Sequence, residues 1–147
     1  MKLLSLYEWI AGNMSDFTRP FRENENLAAQ AKSFWRNLEN ASIGFIFIGV
    51  LVAVLAAFIY YVPFNNKPGR HYHPKYWFLF GGITILISFV FTFGYEYIFC
   101  EPKLDGALLL ELKIAFCNAI YSILLYLIIS IVWCWSLPTN AYRIFKK

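Results

Sequence analysis

The chain has 147 residues, of which 59% are hydrophobic, 20% aromatic and only 15% charged, with a net charge of +4. Soluble domains average about 25% charged residues, and apolar residues here come in runs too long for a soluble core. A separate soluble domain and a nucleic-acid surface are excluded on these grounds, and the modest positive charge speaks to orientation and anionic lipids.

The uncharged stretches run from Asn40 to Asn66, from Tyr76 to Tyr95 and from Ile114 to Tyr142. Each meets the ~20 residues that a membrane-crossing helix requires. Backbone groups in hydrocarbon must be bonded within their own segment, so each run is expected to be helical. The expected fold class is an all-α integral membrane protein, with three transmembrane helices preceded by N-terminal amphipathic helices. The expected divisions are residues 1–41 as amphipathic interfacial or docking helices, 42–137 as a three-span bundle with spans near 42–62, 76–99 and 114–137, and 138–147 as a short basic tail.

In chain order, Leu3, Leu6, Ile10, Met14 and Phe17 fall at helical spacing and predict an amphipathic helix over residues 1–18. Lys2 and the Leu3–Leu4 pair imitate a signal peptide, but Glu8 interrupts the apolar stretch, so the first span is expected to act as an uncleaved anchor. Thr18-Arg19-Pro20 ends the helix, because the residue before proline avoids helical geometry. A second amphipathic helix is expected over Glu23 to Glu39, with Leu27, Ala31, Phe34, Trp35 and Leu38 on its apolar face. Two destinations fit that face: the membrane interface or a partner protein.

The first span carries Gly49, Ala53 and Ala57 at four-residue spacing, which lets helix backbones approach closely. Pro63, Pro68, Gly69 and Pro74 break the loop that follows, and Lys67, Arg70 and Lys75 make it basic. His71 and His73 supply two ligands where a metal site needs three or four, so no metal and no cofactor is expected. Cys100, Cys117 and Cys134 form no ligand spacing and read as small packing residues.

The stretch from Tyr76 to Cys100, which holds the second span, organises the rest. Thr84, Ser88, Thr92 and Glu96 recur every four positions in it, and Asn118, Ser122, Tyr126 and Ser130 do the same in the third. Adjacent spans run antiparallel, and one register pairs all eight: Thr84 with Ser130, Ser88 with Tyr126, Thr92 with Ser122 and Glu96 with Asn118. A four-residue repeat slightly exceeds the helical 3.6, which favours a right-handed crossing. Three readings fit Glu96: a place at the headgroups, a hydrogen bond to Asn118, or ion or proton handling. Between the two spans, Glu101, Asp105 and Glu111 outnumber Lys103 and Lys113 in a second loop, and Leu108 to Leu112 begin the third helix.

The first loop and the tail hold Lys67, Arg70 and Lys75, and Arg143, Lys146 and Lys147, against Lys32, Arg36, Lys103 and Lys113 near the other span ends. Six against four places the first loop and C-terminus in the cytoplasm of a bacterial inner or other plasma membrane. The same six cations are expected to meet anionic lipid or an acidic partner surface.

No hydrolase elbow, phosphate loop, zinc-protease helix or dinucleotide fingerprint occurs, so no enzyme is expected. The expected function is a non-catalytic anchor or scaffold subunit of a multi-protein envelope assembly, such as a secretion or transport machine. Its expected partners are the lipid bilayer and other membrane subunits, with a homo-oligomer also compatible. The alternatives are a small channel or holin-like pore former, in which the polar stripes line water, and a small regulator that binds another membrane protein.

Overall fold

The computed structural model describes residues 3–65, 73–137 and 144–145, and no strand occurs among them. A 3-10 turn at Leu3–Leu6 leads to two short helices, α1 (Glu8–Ala11) and α2 (Met14–Thr18), and a second 3-10 turn covers Arg19–Phe21. Three long helices follow: α3 (Glu25–Ile59), α4 (Pro74–Phe99) and α5 (Ala107–Ser136). All three are long and apolar enough to cross a membrane.

The N-terminal segment is not one amphipathic helix. Gly12 takes a φ of 82° and breaks it, a conformation that costs glycine least. Asn13 then restarts the chain with a capping box, its side chain accepting from the Asp16 backbone at 3.0 Å while Asp16 reaches back. Leu3–Leu6 form a 3-10 turn, whose tighter winding departs from the α-helical stripe: Leu4 and Tyr7 are enclosed, whereas Leu6, expected on the apolar stripe, is exposed. The expected stop before Pro20 falls where α2 ends, at Thr18.

The second amphipathic segment and the first span are not separate elements either. Both belong to α3, 35 residues without a break. Asn24 caps it by accepting from the backbone N–H groups of Asn26 and Leu27, and Asn40-Ala41, between the expected amphipathic segment and the expected span, contain no helix breaker. The expected boundary at residue 41 falls inside this helix. At the far end of α3, Tyr60–Phe64 form a π-helical turn that accommodates Pro63. Helix α4 opens on Pro74, where the missing N–H is of no consequence. Helix α5 starts at Ala107, seven residues before the expected span, after Gly106 at a φ of 85°.

The chain forms two compact units, Met1–Ile48 with Phe89–Asn118 and Gly49–Ser88 with Ala119–Lys147. The first unit is built on Leu4, Tyr7, Phe34, Trp35, Leu38 and Phe45. Phe17 lies over Phe34 and Trp35, with ring centroids at 5.5 and 6.1 Å. The apolar face of the second amphipathic segment thus packs on this chain's own N-terminus, and Leu27 alone of its five residues stays exposed. The second unit is an aromatic and small-residue core, in which Ala53, Ala57, Tyr60, Tyr61, Trp77 and Tyr126 are buried together. Tyr61 stacks on Trp133 at 5.4 Å, and Tyr60 lies against Phe80 at the same distance.

Candidate functional site

The four-spaced polar residues are the natural starting point, because each side chain must find a partner or lose its hydration without return. Thr84, Ser88, Thr92, Glu96, Asn118, Ser122, Tyr126 and Ser130 are all buried, none more than 2% exposed. Gly49, Ala53 and Ala57 on α3 are buried as well.

In the first unit, Asn118 of α5 is the hub. Its amide donates to Thr92 Oγ1 of α4 at 2.7 Å and to the Phe45 carbonyl of α3 at 2.7 Å. Its carbonyl oxygen accepts from the Tyr7 hydroxyl at 3.0 Å. One side chain thereby ties three helices and the N-terminal segment. Phe45 also takes the edge of the Tyr7 ring at 5.0 Å.

In the second unit, the Ser88 and Ser122 hydroxyls pair at 2.7 Å. Trp77 Nε1 donates to Ser130 Oγ at 3.1 Å, and the Tyr126 hydroxyl donates to the Trp77 carbonyl at 3.3 Å. Thr84 turns back on its own helix and donates to the Phe80 carbonyl at 2.8 Å, the local solution that hydroxyl side chains commonly find in a helix.

These pairs overturn the expected register by one turn. Ser88 meets Ser122 instead of Tyr126, Thr92 meets Asn118 instead of Ser122, and Ser130 pairs with Trp77 instead of Thr84. Tyr126 goes with the observed offset: its ring lies 5.4 Å from the Trp77 ring and its hydroxyl reaches the Trp77 carbonyl. Hydroxyl spacing alone did not carry this aromatic contact.

Glu96 does not bond Asn118, whose amide is committed to Thr92 and Phe45. Nor does it reach outward to headgroups, because it is 0% exposed. Both of its carboxyl oxygens are buried without a hydrogen-bond donor. A second carboxyl, Glu111, lies near it and is also 0% exposed. Glu111 was expected as a loop acid; it sits instead in the second turn of α5. Its signal was its spacing, seven residues before Asn118 and hence on the same helical face, within the apolar run Leu108 to Leu112. Lys103 Nζ contacts one Glu111 oxygen at 2.6 Å and lies 4.6 Å above the Tyr97 ring. The other Glu111 oxygen has no partner.

Cys100, one turn beyond Glu96, is fully buried beside this cluster. Burial, and then the Glu96 and Glu111 carboxyls, push its thiol up to about 12, with Lys103 opposing. Such a thiol is not a nucleophile at neutral pH. Cys117 and Cys134 are likewise buried and reduced.

Of the expected surface contacts, Lys75 is exposed and lies 5.2 Å over the Tyr76 ring. Lys67, Arg70, Arg143, Lys146 and Lys147 lie outside the described residues, as does His71. Among the described residues no group of three His, Cys, Asp or Glu side chains is placed to hold a metal ion. No protein-family model, curated protein or solved structure matches the chain.

Proposed function

We propose that the chain is a multi-pass membrane protein acting as a non-catalytic anchor or scaffold subunit of a larger membrane assembly. The observation that carries this reading is the fate of the polar stripes. Their hydroxyls and amides bond within the chain, Ser88 to Ser122 and Asn118 to Thr92, so they are spent on holding helices together. A pore former needs such groups on a water-facing wall. What faces outward on α4 is instead Phe78, Leu79, Leu86, Val90, Phe91 and Ile98, all more than half exposed. Large apolar side chains left uncovered in this number suit acyl chains or the spans of partner subunits.

The N-terminal segment supports the same reading. It is folded onto α3, yet Trp9 stays 63% exposed beside the charged Glu8, an amphipathic arrangement suited to an interface. The basic first loop and tail would reach anionic lipid or an acidic partner surface.

The experiment is purification of the tagged, full-length protein in mild detergent, with mass spectrometry of what accompanies it. Stoichiometric membrane partners are expected. If the protein purifies alone and conducts ions in liposomes, the pore reading replaces this one.

A further inference from the structure

Two buried carboxyls lie near one another in the first unit, with one partly exposed ammonium on the second of them. Glu96 comes from α4, Glu111 from the second turn of α5, and Lys103 from the connection between them. With both acids ionised, the cluster would carry one uncompensated negative charge. Lys103 is already committed to Glu111 at 2.6 Å, and both oxygens of Glu96 and the second oxygen of Glu111 lack any donor. An enclosed carboxylate without counter-charge or hydrogen-bond donor is among the costliest arrangements in a folded chain.

Among the described residues, the groups around the cluster do not supply the missing charge. On α4 the neighbouring polar group is Tyr97, its ring beneath Lys103, and Cys100 just beyond the helix is buried. On the connection, Glu101 and Asp105 are exposed acids. On α5, Lys113 is exposed. From α3 the buried residues of this unit include no ionisable group, and its Glu39 accepts from Trp35 Nε1. From the N-terminal segment, Tyr7 donates to Asn118.

We propose that the Glu96–Glu111–Lys103 cluster is a binding site for one exchangeable proton, held between the two carboxyls and balanced by the tethered lysine. The proton comes from water and returns to it, adding to a carboxylate oxygen and leaving from the same oxygen, so no further reactant is required. Lys103 is the route of exchange. It is the one member with an exposed side chain, 38% against 1% for Glu111, and it sits on the connection outside α4 and α5. When Lys103 swings from Glu111 toward solvent, water gains access and the carboxyls lose their counter-charge together. The site is therefore a coupling between one proton and the position of the 100–106 connection. It stands independently of the scaffold reading: an anchor without partners would keep it, and an anchor with partners would offer it as a pH-sensitive contact.

The test is infrared spectroscopy of the full-length protein in detergent, reading the carbonyl stretch of un-ionised carboxyl groups at neutral pH. Exposed acids are ionised there and contribute nothing. One such band is expected in the parent protein, and Glu96→Gln, which keeps the shape of a neutral acid, should remove it. Lys103→Met removes the counter-charge, so a second proton should be taken up and the band area should become about twice that of the parent. This variant is informative even if Glu96→Gln fails to fold. Absence of the band in the parent, or a band area unchanged by Lys103→Met, would overturn the proposal. So would a band that responds to sodium or potassium concentration at constant pH, which would assign the site to a metal cation.

Discussion

Asn118 shows how much one side chain can organise. An asparagine amide offers two donors and an acceptor, and all are used here, toward Phe45, Thr92 and Tyr7. Interhelical hydrogen bonds between apolar helices contribute about 0.6 kcal/mol each on average, so Asn118→Ala should lower the unfolding free energy by roughly 2 kcal/mol. Chemical denaturation in mixed micelles measures this, with Thr92→Val, which removes one bond, expected to cost about a third as much. Cys100 makes a second prediction at this scale. Its folded thiol titrates near 12 against an ordinary value of 9.0, so the folded state keeps a proton that the unfolded chain releases. The stabilisation is whole below the ordinary value and is lost as pH rises through the interval up to about 12. The fall in melting temperature between neutral and strongly alkaline pH should accordingly be smaller for Cys100→Ala than for the parent, and iodoacetamide at pH near 9 should leave folded Cys100 unmodified.

Among the elements, the α4–α5 pairing carries the most specific lesson. The stripes were readable as stripes, because four-residue spacing places them on one face whatever the partner. Their register was not. Hydroxyl groups tolerate several offsets at similar cost, while a phenol ring against a wall of side chains tolerates very few. In the observed offset Tyr126 packs on Trp77 and its hydroxyl reaches the Trp77 carbonyl, a contact that four-residue spacing does not announce. Cysteines at Ser88 and Ser122 should consequently form a disulfide within one chain, and cysteines at Thr84 and Ser130, the pair expected from spacing, should not. Gel mobility with and without reductant distinguishes them, and the buried native cysteines contribute little background. The continuity of α3 has a similar origin. An amphipathic segment and an apolar one looked like two helices because their composition differs, yet composition does not end a helix; breakers and caps do.

Among the described residues, the polar stripes of the apolar stretches are buried and the large side chains those stretches expose are apolar, an arrangement compatible with a bilayer. Orientation is the property of the whole that loop charge addresses. With the first loop on the cytoplasmic side, Gly69→Cys should resist a membrane-impermeant maleimide in intact cells and react after lysis; labelling of intact cells would invert the topology.

The sequence by itself determined the helical class, the three apolar stretches and the burial of their polar stripes, because these depend on local periodicity and on the cost of leaving polar groups unpaired. Only the tertiary structure decided which polar group meets which, that α3 is continuous, and that Glu96 and Glu111 share one enclosure. Those outcomes depend on the volumes of side chains distant in sequence, and on a lysine brought back over the end of α5 by the short connection that carries it. Periodicity along one helix holds no information about either.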